Sequence, residues 1–379
     1  MKKSIFDRAI EAYARRNAGK KNIITASSID ELRENHYNRI YLPGCLCSDG
    51  TKANLYLWKG NGEDLMISFC GGGVITSRED CRYPISIKSL LSNKIMTYAA
   101  NSGDFFDFAY FMISKNLGII SATDENPFAK WDKAIIPYVC GDFHTGTADI
   151  SYTDEEGTER IFHSNGYTNF LKSMELIKKR WPSPKRILIT GSSAGSFGAS
   201  ALAGKISEYY PDCQNITVYC DSSYLKSDRW KEICKELWKS PEWISERVHS
   251  DDLGGDWLEA LYKNYGDRLK ILYSSSTRDG VLARFTHYIY DGSYQIKVNP
   301  EWFEVVHQGL RDRISRFINE DIRIYNYINE RPDKLSGGTA HCISQDISFT
   351  KHEVDGITNA KWLYDAVNGN LYDVGMDLL

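Results

Sequence analysis

Apolar residues recur along this chain with two periods, and their alternation predicts its architecture. Residues 3–17 place Ile5, Phe6, Ala9, Ile10 and Tyr13 at helical spacing, which predicts an amphipathic helix in a lead-in over residues 1–35. Residues 38–43, 52–58 and 65–70 read as strands, the first two as an antiparallel lead-in pair. Further strands are predicted at 117–122, 133–139, 186–190, 215–221 and 269–273, with a helix over 167–181 crossing to the strand at 186. Strands alternating with helices predict an α/β fold with a doubly wound, mainly parallel sheet. Its functional loops then lie at the C-terminal ends of the strands.

Two stretches interrupt this rhythm. Residues 224–268 hold Trp230, Trp238, Trp243 and Trp257 in mostly helical sequence, and residues 285–330 are again aromatic-rich and helical. They read either as helices packed on the sheet or as cap-like insertions over the site, whose rings would stack on sugar faces or wall an acyl chain. At 379 residues and 42% hydrophobic content, one large domain over 1–379 is expected. No apolar run reaches the length of a membrane span, so none is expected. A net charge of −4 without a basic stripe argues against a nucleic-acid partner, and nothing in the pattern fixes an oligomeric state.

Nine cysteines leave at least one unpaired, and no C-x-x-C pair suggests a zinc site. The opening Met1-Lys2-Lys3-Ser4-Ile5-Phe6 is followed by Asp7, Arg8 and Glu11, which break any signal-peptide core. A reduced, cytoplasmic protein is the expectation. The alternative is a secreted one whose signal is absent from this sequence.

The chemistry concentrates where Ile187-Leu188-Ile189-Thr190 runs into Gly191-Ser192-Ser193-Ala194-Gly195 and a small-residue helix. Strand, G-x-S-x-G and helix together describe a nucleophile elbow, with Ser193 as the nucleophile. A base and an acid should follow in the order acid, then histidine. Asp279 follows the 269–273 strand in Ser276-Thr277-Arg278-Asp279-Gly280, and His341 lies in the glycine-bearing loop Ser336-Gly337-Gly338-Thr339-Ala340-His341. Asp221, at the end of its own strand, is the runner-up acid. Among the eight histidines, His36, His144 and His163 precede the serine, and the other four downstream lack the strand-then-loop setting. Gly71-Gly72-Gly73 after the 65–70 strand supplies the expected oxyanion donors: the amide of Gly72 or Gly73 with that of Ala194. Asp142 and His144, on the loop after the 133–139 strand, are substrate-pocket candidates, with hydrogen bonding of their own loop as the competing role. One Asp and one His without a third ligand make no metal site, and neither metal nor cofactor is expected.

These segments carry a family resemblance. Cys70-Gly71-Gly72-Gly73, Pro137 to Gly146, the elbow, Ser275 to Asp279, Gly338 to Cys342 and the closing Val354 to Leu363 together resemble the pectin acetylesterases, which include the Notum carboxylesterases. The similarity spans about residues 50–367. It implies an α/β-hydrolase-like fold, Ser193, Asp279 and His341 as a triad, and an oxyanion hole from the early glycines and Ala194. It also implies a small-molecule or carbohydrate ester as substrate, with O-acetyl groups on a sugar as the main expectation. Longer acyl esters on lipid or protein are the Notum-like alternative, and a non-catalytic binding homologue is the alternative of another class. The chain departs from the family where members commonly carry Trp or Cys after the triple glycine and Val74-Ile75-Thr76-Ser77 stands here.

Overall fold

The computed structural model describes residues 23–86, 96–102, 107–266, 268–292, 297–327, 337–339 and 341–379. The helix expected over 3–17 and most of the 1–35 lead-in lie outside these residues. Strands β1 (Ile23–Thr25), β2 (Tyr37–Leu46) and β3 (Lys52–Trp58) open the sheet, and β2 and β3 pair antiparallel as expected. Next come β4 (Asp64–Phe69), helix α1 (Phe108–Lys115), β5 (Asp132–Ile136) and a separate antiparallel hairpin, β6 (Ala148–Thr153) with β7 (Glu159–Ser164). Helix α2 (Gly166–Arg180) leads to β8 (Arg186–Ser192), α3 (Ala194–Tyr209), β9 (Ile216–Asp221) and α4 (Leu253–Tyr265). Strand β10 (Leu269–Ser276), α5 (Gly280–Asp291), α6 (Pro300–Ile318) and β11 (Arg323–Tyr327) follow. A short hairpin, β12 (Glu353–Val354) with β13 (Ile357–Thr358), and α7 (Asn359–Val367) close the chain.

Nine of these strands form one sheet in the order β1-β2-β3-β5-β4-β8-β9-β10-β11. From β5 to β11 every neighbouring pair is parallel. Strands β4, β5 and β9 are buried at every residue, as central parallel strands covered on both faces must be. Adjacent residues of β9 show the two layers, because side chains alternate faces along a strand. The ring of Tyr219 meets Trp362 of α7 edge-on at 6.0 Å, whereas Cys220 turns its thiol toward the Ser196 carbonyl of α3 at 3.5 Å. This is the α/β-hydrolase-like, doubly wound arrangement.

Two expectations are corrected. The apolar stretch at 117–122 is not a strand but a single tight turn, Gly118–Ile120. Asn116 and Gly118 both take positive φ (53° and 60°) and break the extended path, although Ile119 and Ile120 are buried as a strand's residues would be. The stretch 285–330 is not wholly helical, because β11 extends the parallel sheet by one strand beyond β10. The 224–268 stretch is helical where expected, as short turns followed by α4. All nine cysteines are buried and unbridged, and no described helix is long and apolar enough to cross a membrane.

Register aligns the working ends of the strands. Phe69, Gly191, Cys220 and Tyr273 lie side by side across β4, β8, β9 and β10. The glycine loop and the elbow therefore leave the sheet next to each other, at its C-terminal edge.

Candidate active site

The elbow forms because its glycines leave room for it. A Cβ at Gly191 would lie 2.0 Å from the Gly195 carbonyl oxygen, and one at Gly195 would lie 2.0 Å from that of Phe69. With both absent, β8 turns into α3 within one residue, and Ser193 takes φ 55°, ψ −129°. Such a backbone costs on the order of 1–3 kcal/mol in a residue with a Cβ and persists only where its surroundings enforce it. Here the Ser193 amide donates to the Asp221 carbonyl (2.9 Å), which ties the strained residue to β9.

Asp279 is the N-cap of α5. Its Oδ1 accepts from the amides of Val281 (2.9 Å) and Leu282 (3.0 Å), and its buried Oδ2 lies 2.5 Å from Nδ1 of His341. A carboxylate only accepts, so Nδ1 carries the hydrogen and Nε2 presents its lone pair. That Nε2 is buried and takes no hydrogen bond within the described residues. Burial alone would lower the His341 pKa, but the Asp279 carboxylate, with Asp221 behind it, outweighs this and raises it above the ordinary 6.5. The loop itself is fixed to β10's end by Thr339, whose amide donates to the Arg278 carbonyl at 3.0 Å.

Asp221 does not touch the imidazole. Its Oδ1 accepts from the hydroxyls of Ser222, Ser274 and Tyr327, and its Oδ2 from the amides of Ile343 and Ser344 and the Ser344 hydroxyl. The residue is the anchor of the histidine loop, two positions beyond His341.

Ser193, Ala194, His341 and all three loop glycines line one cavity of about 330 Å³. Gly71 abuts the elbow, since a Cβ there would come within 2.8 Å of the Ser193 Cβ and 3.2 Å of the Ala194 nitrogen. The loop is held from outside by Ala99, whose amide donates to the Gly72 carbonyl (2.8 Å), and by Thr97, whose carbonyl accepts from Val74. Among the described residues the amides of Gly72, Gly73 and Ala194 take no partner in these loop contacts. That of Ala194 opens α3, where no intrahelical acceptor exists.

Most of the remaining wall is apolar, with Arg284 and Gln345 as its polar members. Phe143, Phe197, Leu225 and the α5 residues Leu282 and Phe285 contribute to it, and Phe143 stacks on Phe197 at 4.1 Å with the rings nearly parallel (6°). Leu225 and Phe285 lie at the starts of the two stretches expected as cap-like insertions, whereas sequence reasoning missed Phe197, Leu282 and also Gln345, which lines the cavity and donates to the Ser192 hydroxyl at 2.5 Å. Phe143 lay between the two singled-out residues Asp142 and His144.

Asp142 and His144 do not line the cavity, which corrects their place as pocket candidates. Both are buried, and the imidazole Nε2 lies 3.0 Å from the Cys70 carbonyl. The Asp142 carboxylate accepts from the His144 and Gly166 amides and the Ser164 hydroxyl. Among the described residues no group of three or more His, Cys, Asp or Glu could hold a metal.

A parallel sheet with a strained serine at the β8–α3 elbow and a glycine loop beside it defines the class as α/β-hydrolase-like. The family model described as Pectinacetylesterase matches residues 36–229, half of the chain, including the glycine loop and the elbow. The chain belongs to the pectinacetylesterase family, a family of carbohydrate acetylesterases. No curated protein matches it.

Proposed function

We propose that the protein is a serine carboxylesterase that removes O-acetyl groups from a carbohydrate. The single observation that carries this reading is the hydrogen bond from His341 Nδ1 to Asp279, which leaves Nε2 as an open acceptor in the cavity that Ser193 also lines. Nε2 and the Ser193 hydroxyl share no hydrogen bond among the described residues, and such contacts commonly tighten only with substrate bound.

In the proposed reaction the Ser193 oxygen bonds to the ester carbonyl carbon while its proton passes to His341 Nε2. Asp279 stabilises the imidazolium, and the amides of Gly72 or Gly73 and Ala194 receive the oxyanion. Collapse breaks the carbon–oxygen bond to the sugar, which leaves as an alcohol with the proton from Nε2. Water, deprotonated by the same nitrogen, then releases the acyl group as a carboxylic acid and restores the serine.

A second reading, an ester with a longer acyl chain, is favoured by the apolar wall of Phe143, Phe197, Leu225 and Phe285, which is larger than acetyl needs. Hydrolysis of nitrophenyl esters from acetate to decanoate tests both readings. A maximum at acetate supports the first and one at six carbons or more the second, while no turnover at any length supports a non-catalytic homologue. Nine buried, unbridged cysteines support a reducing, cytoplasmic setting.

A further inference from the structure

The Asp142–His144 loop is strained and buried, and neither the Asp142 carboxylate nor the His144 imidazole takes part in the reaction above. Phe143 and His144 both take positive φ (51° and 63°), two consecutive non-glycine residues in the left-handed region. The loop is forced into this shape from three sides. Asp142 accepts from the His144 amide (3.0 Å), the Gly166 amide (2.8 Å) and the Ser164 hydroxyl (3.0 Å). Its backbone carbonyl accepts from both the amide and the hydroxyl of Thr145, and the Phe143 amide donates to the Tyr138 hydroxyl at 3.0 Å.

The product of this strain is one imidazole placed under the glycine loop. Its Nε2 lies 3.0 Å from the carbonyl of Cys70, the residue before Gly71. A carbonyl only accepts, so Nε2 carries the hydrogen. The ring is wedged between Phe69 (5.0 Å, edge-on) and Tyr138 (4.9 Å). On α3, a Cβ at Gly198 would come within 2.6 Å of the imidazole Cδ2, so that glycine makes the space. Burial pushes the His144 pKa down to about 4, which keeps the donor neutral in ordinary buffers. The imidazole thus touches both the glycine loop and the helix that starts at the elbow.

The Cys70–Gly71 peptide is planar and trans, so fixing its carbonyl fixes the opposite direction of the Gly71 amide and the path of the chain into Gly72 and Gly73. The Cys70 amide is bonded to the Ile136 carbonyl at 3.0 Å, which holds the other end of the same residue. We propose that His144 is a positioning residue for the oxyanion loop, holding the Cys70–Gly71 peptide so that the loop amides meet the oxyanion. This rests on reading Ser193 as the nucleophile and the glycine amides as its oxyanion donors. Because those donors act on the transition state, a displaced loop lowers kcat and leaves substrate binding alone.

The test is steady-state kinetics with a nitrophenyl ester on the wild type, His144→Leu, His144→Gln and Gly198→Ala, with melting temperatures and the affinity for an alkylboronic acid, which forms a tetrahedral adduct on serine. His144→Leu is expected to lower kcat by about 10²-fold, the scale of one lost or misplaced oxyanion donor, with KM within about twofold. Boronate affinity should fall alongside kcat. His144→Gln, whose amide nitrogen can stand in for Nε2–H, should recover at least tenfold of the loss. A folded His144→Leu with unchanged kcat overturns the proposal, as does a glutamine variant no better than leucine. If the leucine variant does not fold, Gly198→Ala carries the test: its methyl group pushes the imidazole, and kcat should drop at least tenfold at constant KM. Unchanged kcat there overturns the proposal. Ser193→Ala in the same assay separates the two levels, since activity surviving that change overturns the nucleophile reading itself.

Discussion

His341 and Asp279 share one carboxylate with a helix: Oδ2 meets His341 Nδ1 at 2.5 Å while Oδ1 caps α5 through the amides of Val281 and Leu282. An asparagine in this place can keep the cap with its Oδ1 but offers an NH₂ to Nδ1, which favours the wrong tautomer. Asp279→Asn should therefore lower kcat by about 10⁴, the cost of the same change in a serine protease, with little change in melting temperature. A loss under about tenfold would place the acid elsewhere.

Asp221→Asn should have the opposite signature. All the groups that Asp221 accepts from are donors, so an NH₂ faces them and leaves buried donors unpaired, at a cost of about 1–3 kcal/mol. Urea unfolding should show that loss, with a smaller effect on kcat than Asp279→Asn. A variant of wild-type stability with activity abolished would make Asp221 the acid.

The elbow was legible because its signal is local: an apolar strand, G-x-S-x-G and a small-residue helix follow one another within about twenty residues. Asp279 and His341 were legible through order and loop setting, although 62 residues separate them. What failed depended on distant contacts. Gly118–Ile120 reads as a strand by its apolar residues, yet Gly118 is pressed against the Ser344 carbonyl, where a Cβ would lie 2.2 Å away. Strand β11 is a five-residue segment after a nineteen-residue helix, and its pairing with β10 on one side and with Val374 on the other defines it. The cavity wall joins Phe143, Phe197, Leu225 and Phe285 from separate segments, which no periodicity can bring together.

The pH dependence follows from His341. Only neutral imidazole accepts the serine proton, and a pKa raised by Asp279 keeps the base protonated, and so inactive, to higher pH. The kcat/KM profile should rise through one ionisation with its midpoint above 6.5, and Asp279→Asn should move that midpoint down. A midpoint below 6.5 in the wild type would contradict this pairing.

Phe143 should set acyl length. Its ring stacks on Phe197 and packs against Trp230 and Trp238, forming a rigid part of the cavity wall. Phe143→Leu removes part of that wall while avoiding the cavity cost of Phe→Ala, about 3–5 kcal/mol. The variant should favour longer nitrophenyl esters than the wild type by two or more carbons. An unchanged chain-length profile would remove Phe143 from the acyl site.

The proposed reaction requires that Ser193 become acylated. Treatment with a fluorophosphonate followed by peptide mass spectrometry should find a single label, on Ser193, with esterase activity lost in proportion to labelling. Ser193→Ala should fold normally, take no label and lose several orders of magnitude in turnover. A label elsewhere, or an alanine variant that retains more than about a tenth of wild-type turnover, would show that Ser193 is not the nucleophile.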